Sequence, residues 1–104
     1  MKTKYTPAPW TALPSEDGKD YIRIRGIKLG VRYKIANVLA PVYKEELEYE
    51  DEESRADARL IAAAPDLLEA LKELCGAVHS HGFHFDPSLK TAESVIAKAT
   101  GGTP

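Results

Sequence analysis

The sequence predicts an α+β fold, an N-terminal antiparallel β-hairpin or three-stranded meander packed on two or three C-terminal helices. Two observations place the strands. Tyr21-Ile22-Arg23-Ile24-Arg25 and Val31-Arg32-Tyr33-Lys34-Ile35 both alternate with period two, as strands with one face on a core do. A third places the helices. Leu67, Leu68, Leu71, Leu74, Cys75 and Val78 recur at helical spacing among strong helix formers.

Taken in order, Pro7, Pro9 and Pro14 favour extended backbone at the start, and Trp10-Thr11-Ala12-Leu13 reads as a short strand with Trp10 as its anchor. Asp17-Gly18 is turn chemistry. The first alternating strand sets Ile22 and Ile24 against Tyr21, Arg23 and Arg25. A turn through Ile27-Lys28-Leu29-Gly30 would return the chain into the second, with Arg32 and Lys34 outward. Ala36 to Ala40 extends that strand with a change of face near Asn37, a bulge, until Pro41 ends it.

Residues 44–53 read as an acidic linker between a β part, 1–43, and a helical part, 54–100, of one domain. Ser54, or a residue shortly before it, would start the first helix. Pro65 would clash with the carbonyl one turn back, so two helices are expected, with Pro65 in the first turn of the second. Leu67, Leu71 and Leu74 are the expected core. His79 to Phe85 reads as a loop. Asp86-Pro87 is an N-cap and first helical residue, and Gly101-Gly102 a helix stop.

The totals limit the function classes. A chain of 104 residues, 43% hydrophobic and 29% charged, suits one soluble domain. No apolar run approaches the ~18–20 residues of a membrane span, and Tyr5 to Pro9 stands where a signal peptide needs its apolar segment. A cytoplasmic protein is expected. The single cysteine, Cys75, excludes an internal disulfide framework and a cysteine-rich zinc site. The net charge of −2 conceals a polarity: Lys2 to Lys34 holds eight basic and three acidic residues, Lys44 to Asp57 eight acidic and two basic.

Thr6-Pro7-Ala8-Pro9-Trp10, Tyr33-Lys34-Ile35-Ala36-Asn37-Val38, the Ala58 to Leu71 block and Ile96-Ala97-Lys98-Ala99-Thr100-Gly101 together resemble a family of small phage and prophage accessory proteins. The resemblance spans most of the chain and implies an accessory gene carried by a phage, acting in the host cytoplasm. It brings no catalytic or binding residue with it.

Two constellations compete for a site. His79, His81, His84 and Asp86 fall within eight residues and offer imidazole and carboxylate to zinc, nickel or manganese. Their spacing matches no metal motif, and an exposed polar connection with Phe83 and Phe85 tucked beneath it is the preferred reading, so no metal is expected. The basic hairpin is the stronger lead. In the register expected, Arg25 lies opposite Arg32 and Arg23 opposite Lys34, and opposed like charges destabilise a sheet unless anions offset them. Tyr21 would lie beside the arginines, and Tyr33 on the other face.

The reading is a non-catalytic phage accessory protein that needs no cofactor and binds through Tyr21, Arg23, Arg25, Arg32 and Lys34. Its partner would be a host protein or a small phosphorylated ligand, with antagonism of a host defence system as the purpose. Long duplex DNA fits the net charge poorly. A nucleic-acid-binding module and a metal-dependent enzyme using the histidine loop are the alternatives. The leucine stripe and Ala62-Ala63-Ala64 leave a homodimer open.

Overall fold

The computed structural model describes residues 4–14, 19–39, 48–83 and 85–102, with 48–51 described as backbone only. The elements run β1 (Trp10–Ala12), β2 (Tyr21–Lys28), β3 (Val31–Leu39), α1 (Glu48–Ala62), α2 (Ala64–Ser80) and α3 (Pro87–Ala99). Three antiparallel strands precede three helices, the α+β order that the patterning predicts. The chain forms two compact units, 1–65 and 66–104.

In the first unit β2 is the central strand, between β1 and β3. Ile22 and Ile24 point to the inner face and are fully buried, 1% and 0% exposed. Burial of each contributes roughly 1.5–3 kcal/mol. Against them lie Ala58 and Ala62, one helical turn apart on α1. Their small side chains bring the helix close over the isoleucines. Trp10, Ala12, Ile35, Ala36 and Val38 close the rim.

Trp10 is the anchor its position suggests. It pairs with Gly26 across the β1–β2 ladder, and its Nε1 donates to the Thr6 carbonyl at 2.9 Å. Tyr5 meets its ring edge-on at 6.5 Å between centroids. Gly26 leaves room for this close approach. A Cβ would come within 3.1 Å of the Thr6 methyl and 3.4 Å of the Trp10 ring.

The hairpin turn is tighter than the expected four-residue connection. Lys28 pairs with Val31, leaving only Leu29 and Gly30 between the strands, at φ 54° and 76°. Two positive φ values in a two-residue loop define a type I′ turn, whose twist matches that of the flanking strands. The irregularity expected near Asn37 falls two residues earlier. The register slips between Ile24 and Arg25, so Ile35 is the extra residue of the bulge and packs on the core. The turn read at Asp17-Gly18 and the strand end read at Ala40-Pro41 lie outside the described residues.

Helix α1 starts at Glu48, six residues before Ser54, so 48–53 is helix rather than linker. A cluster of carboxylates is tolerated there because the first turn of a helix carries partial positive charge. The α1–α2 break falls at Ala63, and Pro65 takes the first turn of α2 as expected.

In the second unit α2 runs through Ser80, past the expected stop near Val78. Asp86 caps α3, its Oδ1 accepting from the Ser88 N–H at 2.8 Å, with Pro87 as first helical residue. Gly101, at φ 83°, and the Gly102 N–H donating to Ala97 O at 2.7 Å end α3 in a Schellman turn. The expected core stripe needs correction. Leu67 and Leu74 are 53% and 61% exposed, while Leu68, Leu71 and Val78 are half-buried and Cys75 is buried. The covered arc runs through 68, 71, 75 and 78; 67 and 74 lie on its flank. The six apolar residues span a wider arc than the covered one.

Candidate functional site

Alternation along β2 and β3 decides what the outer face of the sheet carries. With Ile22 and Ile24 turned toward α1, Tyr21, Arg23, Arg25 and Ile27 must point away from it. Their ladder partners share that face. They are Leu39 for Tyr21, Asn37 for Arg23, Lys34 for Arg25 and Arg32 for Ile27. All four basic candidates and Tyr21 therefore stand on one side of the sheet, opposite α1. Arg32 and Lys34 are exposed; Tyr21, Arg23 and Arg25, on the central strand, are half-buried. Tyr33 is on the inner side, as expected, where Lys28 Nζ lies 5.9 Å from its ring centroid.

The expected opposition of charges is overturned in detail. Arg25 faces Lys34 rather than Arg32, and Arg23 faces Asn37 rather than Lys34. The cause is the two-residue turn, which shifts the register, followed by the bulge, which shifts it again. One directly opposed cation pair remains, Arg25 and Lys34. Arg25 is drawn away from open solvent, because its Nη1 donates to the carbonyls of Ile24 at 2.9 Å and Ala36 at 3.0 Å. It braces the backbone at the bulge. Exposed apolar side chains border the cations: Ile27 and Leu39 on the same face, and Leu29, 91% exposed, at the tip.

The histidine group is dispersed. His79, on the last turn of α2, lies 3.4 Å from Glu93 Oε2 on α3 through its Nε2. His81 Nδ1 is 2.7 Å from Ala77 O, and the Ser80 hydroxyl donates to Gly76 O at 2.9 Å. Asp86 is occupied as the cap of α3. His84 lies outside the described residues. Among the described residues no three histidine, cysteine or carboxylate side chains gather as a metal site would need.

Sequence reasoning missed a cleft of about 350 Å³ between the end of β1 and α1. Ala12, Ile22 and Ala58 form its apolar floor, and Arg55 and Arg59 line it. The two arginines are one helical turn apart in a stretch otherwise dominated by carboxylates. That spacing was the available signal, masked by the acidic run around it.

The chain is thus a small α+β protein with a basic sheet face, and no described helix is long and apolar enough to cross a membrane. The family model described as Salmonella phage P22 protein Y8K6 matches residues 1–103, and the chain belongs to that family of phage proteins. No curated protein and no solved structure matches the chain.

Proposed function

We propose that this phage protein works without catalysis, by binding an acidic surface of a host protein through the outer face of its sheet, and that it thereby antagonises a host defence system. One observation carries the reading. Arg23, Arg25, Arg32 and Lys34 share an outward face with Tyr21, and the stretch from Tyr21 to Leu39 contains no carboxylate of its own. A merely solvated face commonly mixes both signs. Exposed Ile27 and Leu39 beside the cations suit a protein surface better than a phosphate backbone. The phage family supplies the host context.

The test is affinity capture from host lysate with the wild type and with Arg32→Glu/Lys34→Glu, identified by mass spectrometry. Both side chains are exposed on the outer face, away from the Ile22 and Ile24 core, so the circular dichroism spectrum should not change. The expected result is a partner retained by the wild type and lost by the reversal. Equal capture by both proteins would return the face to the status of ordinary solvated surface.

A second reading has its own observation. The cleft with Arg55 and Arg59 over an apolar floor has the size and polarity to take a small phosphorylated ligand such as a nucleotide. Calorimetry with nucleotides against wild type and Arg59→Glu decides it. Heat lost in the variant supports sequestration of a nucleotide signal, and no heat with the wild type removes it.

A further inference from the structure

We propose that the outer edge of β3, over residues 31–34, accepts an extended acidic segment of a partner protein as a fourth strand. The proposal rests on reading the outer face as a partner-binding surface and names how the partner is held. Among the described residues β3 has a strand neighbour on one side only. Val31, Arg32, Tyr33 and Lys34 are all exposed.

The register says which backbone groups are on offer. In a hairpin closed by a two-residue turn, the residues flanking the turn exchange both hydrogen bonds, and the pattern then alternates. Lys28 with Val31 and Gly26 with Tyr33 are thus the bonded pairs. The opposite edge of β2 agrees, since the Arg23 carbonyl points the other way and accepts from the Leu13 N–H at 2.9 Å. It follows that Arg32 and Lys34 direct their N–H and C=O groups away from β2, toward the open edge. The bulge at Ile35 ends this regular stretch. The docking length is therefore four residues, or about 13 Å at ~3.3 Å per residue.

Charge selects the occupant. Side chains of an added strand would alternate between the outer face, beside Arg32 and Lys34, and the inner face, beside Val31 and Tyr33, which are 58% and 42% exposed. The fitting segment alternates carboxylate with apolar residues. The same cations disfavour a second copy. In the antiparallel registers that match outer face to outer face, Arg32 of one copy would meet Arg32 or Lys34 of the other, and directly opposed like charges destabilise a sheet. The edge is thus closed to its own kind and open to an acidic strand.

The probe is a synthetic peptide of alternating glutamate and valine, added to the full-length, nitrogen-15-labelled protein. Amide exchange at Arg32 and Lys34 should slow on addition, whereas the Val31 and Tyr33 amides are protected beforehand by β2. Two variants separate backbone from charge. Arg32→Ala removes the charge alone, and Arg32→Pro also removes the outward N–H while sparing the bonds to β2. Arg32→Pro should bind the peptide about three- to tenfold more weakly than Arg32→Ala. Equal affinities, with the Arg32 and Lys34 amides still exchanging freely, would overturn the edge proposal and leave the face reading intact. Absence of peptide binding to the wild type would also overturn it, the face reading then resting on its own charge-reversal test. The exchange measurement needs no variant, so the proposal stays testable if Arg32→Pro fails to fold.

Discussion

Arg25 donates from Nη1 to two backbone carbonyls at the point where the β2–β3 ladder slips. Its truncation would leave Ile24 O and Ala36 O each short of a donor in a half-buried setting. Arg25→Ala should therefore cost about 1–3 kcal/mol in urea unfolding, against about 0.5 kcal/mol or less for exposed Arg32→Ala. Equal costs would show that Arg25 does not brace the bulge. The sequence shows that Arg25 shares a face with Arg23, because alternation is local. It does not show the brace, because a bulge exists only relative to the partner strand. Leu29 presents the complementary case. A leucine at φ 54° carries steric strain of about 1–2 kcal/mol, and at 91% exposure it recovers nothing by burial. Leu29→Asn would create the Asn-Gly pair that type I′ turns prefer, and should stabilise the protein by roughly 1 kcal/mol in thermal unfolding. A loss of stability would mean that the leucine makes a contact worth more than its strain. Partner capture by this variant is informative too, since weaker capture from a more stable protein places Leu29 in the contact surface.

The elements differ in how far they can be read from the chain. Helix α3 is legible at both ends, because Asp86, Pro87 and Gly101 act within a few residues of themselves. The α1–α2 break is legible because one proline imposes it. The start of α1 is not, because carboxylates in a first helical turn and carboxylates in a solvated linker look alike without coordinates. The leucine stripe of α2 misleads for another reason. Periodicity shows which residues share a side, but not how much of that side a small chain has material to cover. Leu89 is 4% exposed and Leu67 53%. Leu89→Ala should accordingly cost about 2–5 kcal/mol, and Leu67→Gln about 0.5 kcal/mol or less, both by chemical denaturation. A Leu67→Gln loss comparable to that of Leu89→Ala would restore the wider stripe as core.

At the scale of the whole molecule, the charge polarity noted in the sequence sets which polyanions the protein can hold. A net charge of −2 offers duplex DNA no long-range attraction, and beyond the Debye length, about 8 Å at physiological salt, charges are largely screened, so attraction must come from close contact. Among the described residues of β2 and β3, the cations on the outer face are Arg23, Arg25, Arg32 and Lys34. If all four met phosphates, the affinity would fall with salt at a logarithmic slope of about −3.6, roughly 150-fold between 50 and 200 mM. Arg25 is already committed to the bulge carbonyls, so the true slope should be shallower. Duplex DNA should therefore give no mobility shift at about 150 mM salt, while capture of an acidic protein partner persists there. A protein partner on this face would also bury Ile27 and Leu39, 59% and 78% exposed, an apolar contribution that depends little on charge screening. A DNA complex that survives at 150 mM with a slope steeper than about −4 would require cations beyond this face. It would transfer the function to nucleic-acid binding, with the α1 arginines Arg55 and Arg59 the first residues to reverse in search of the remaining contacts.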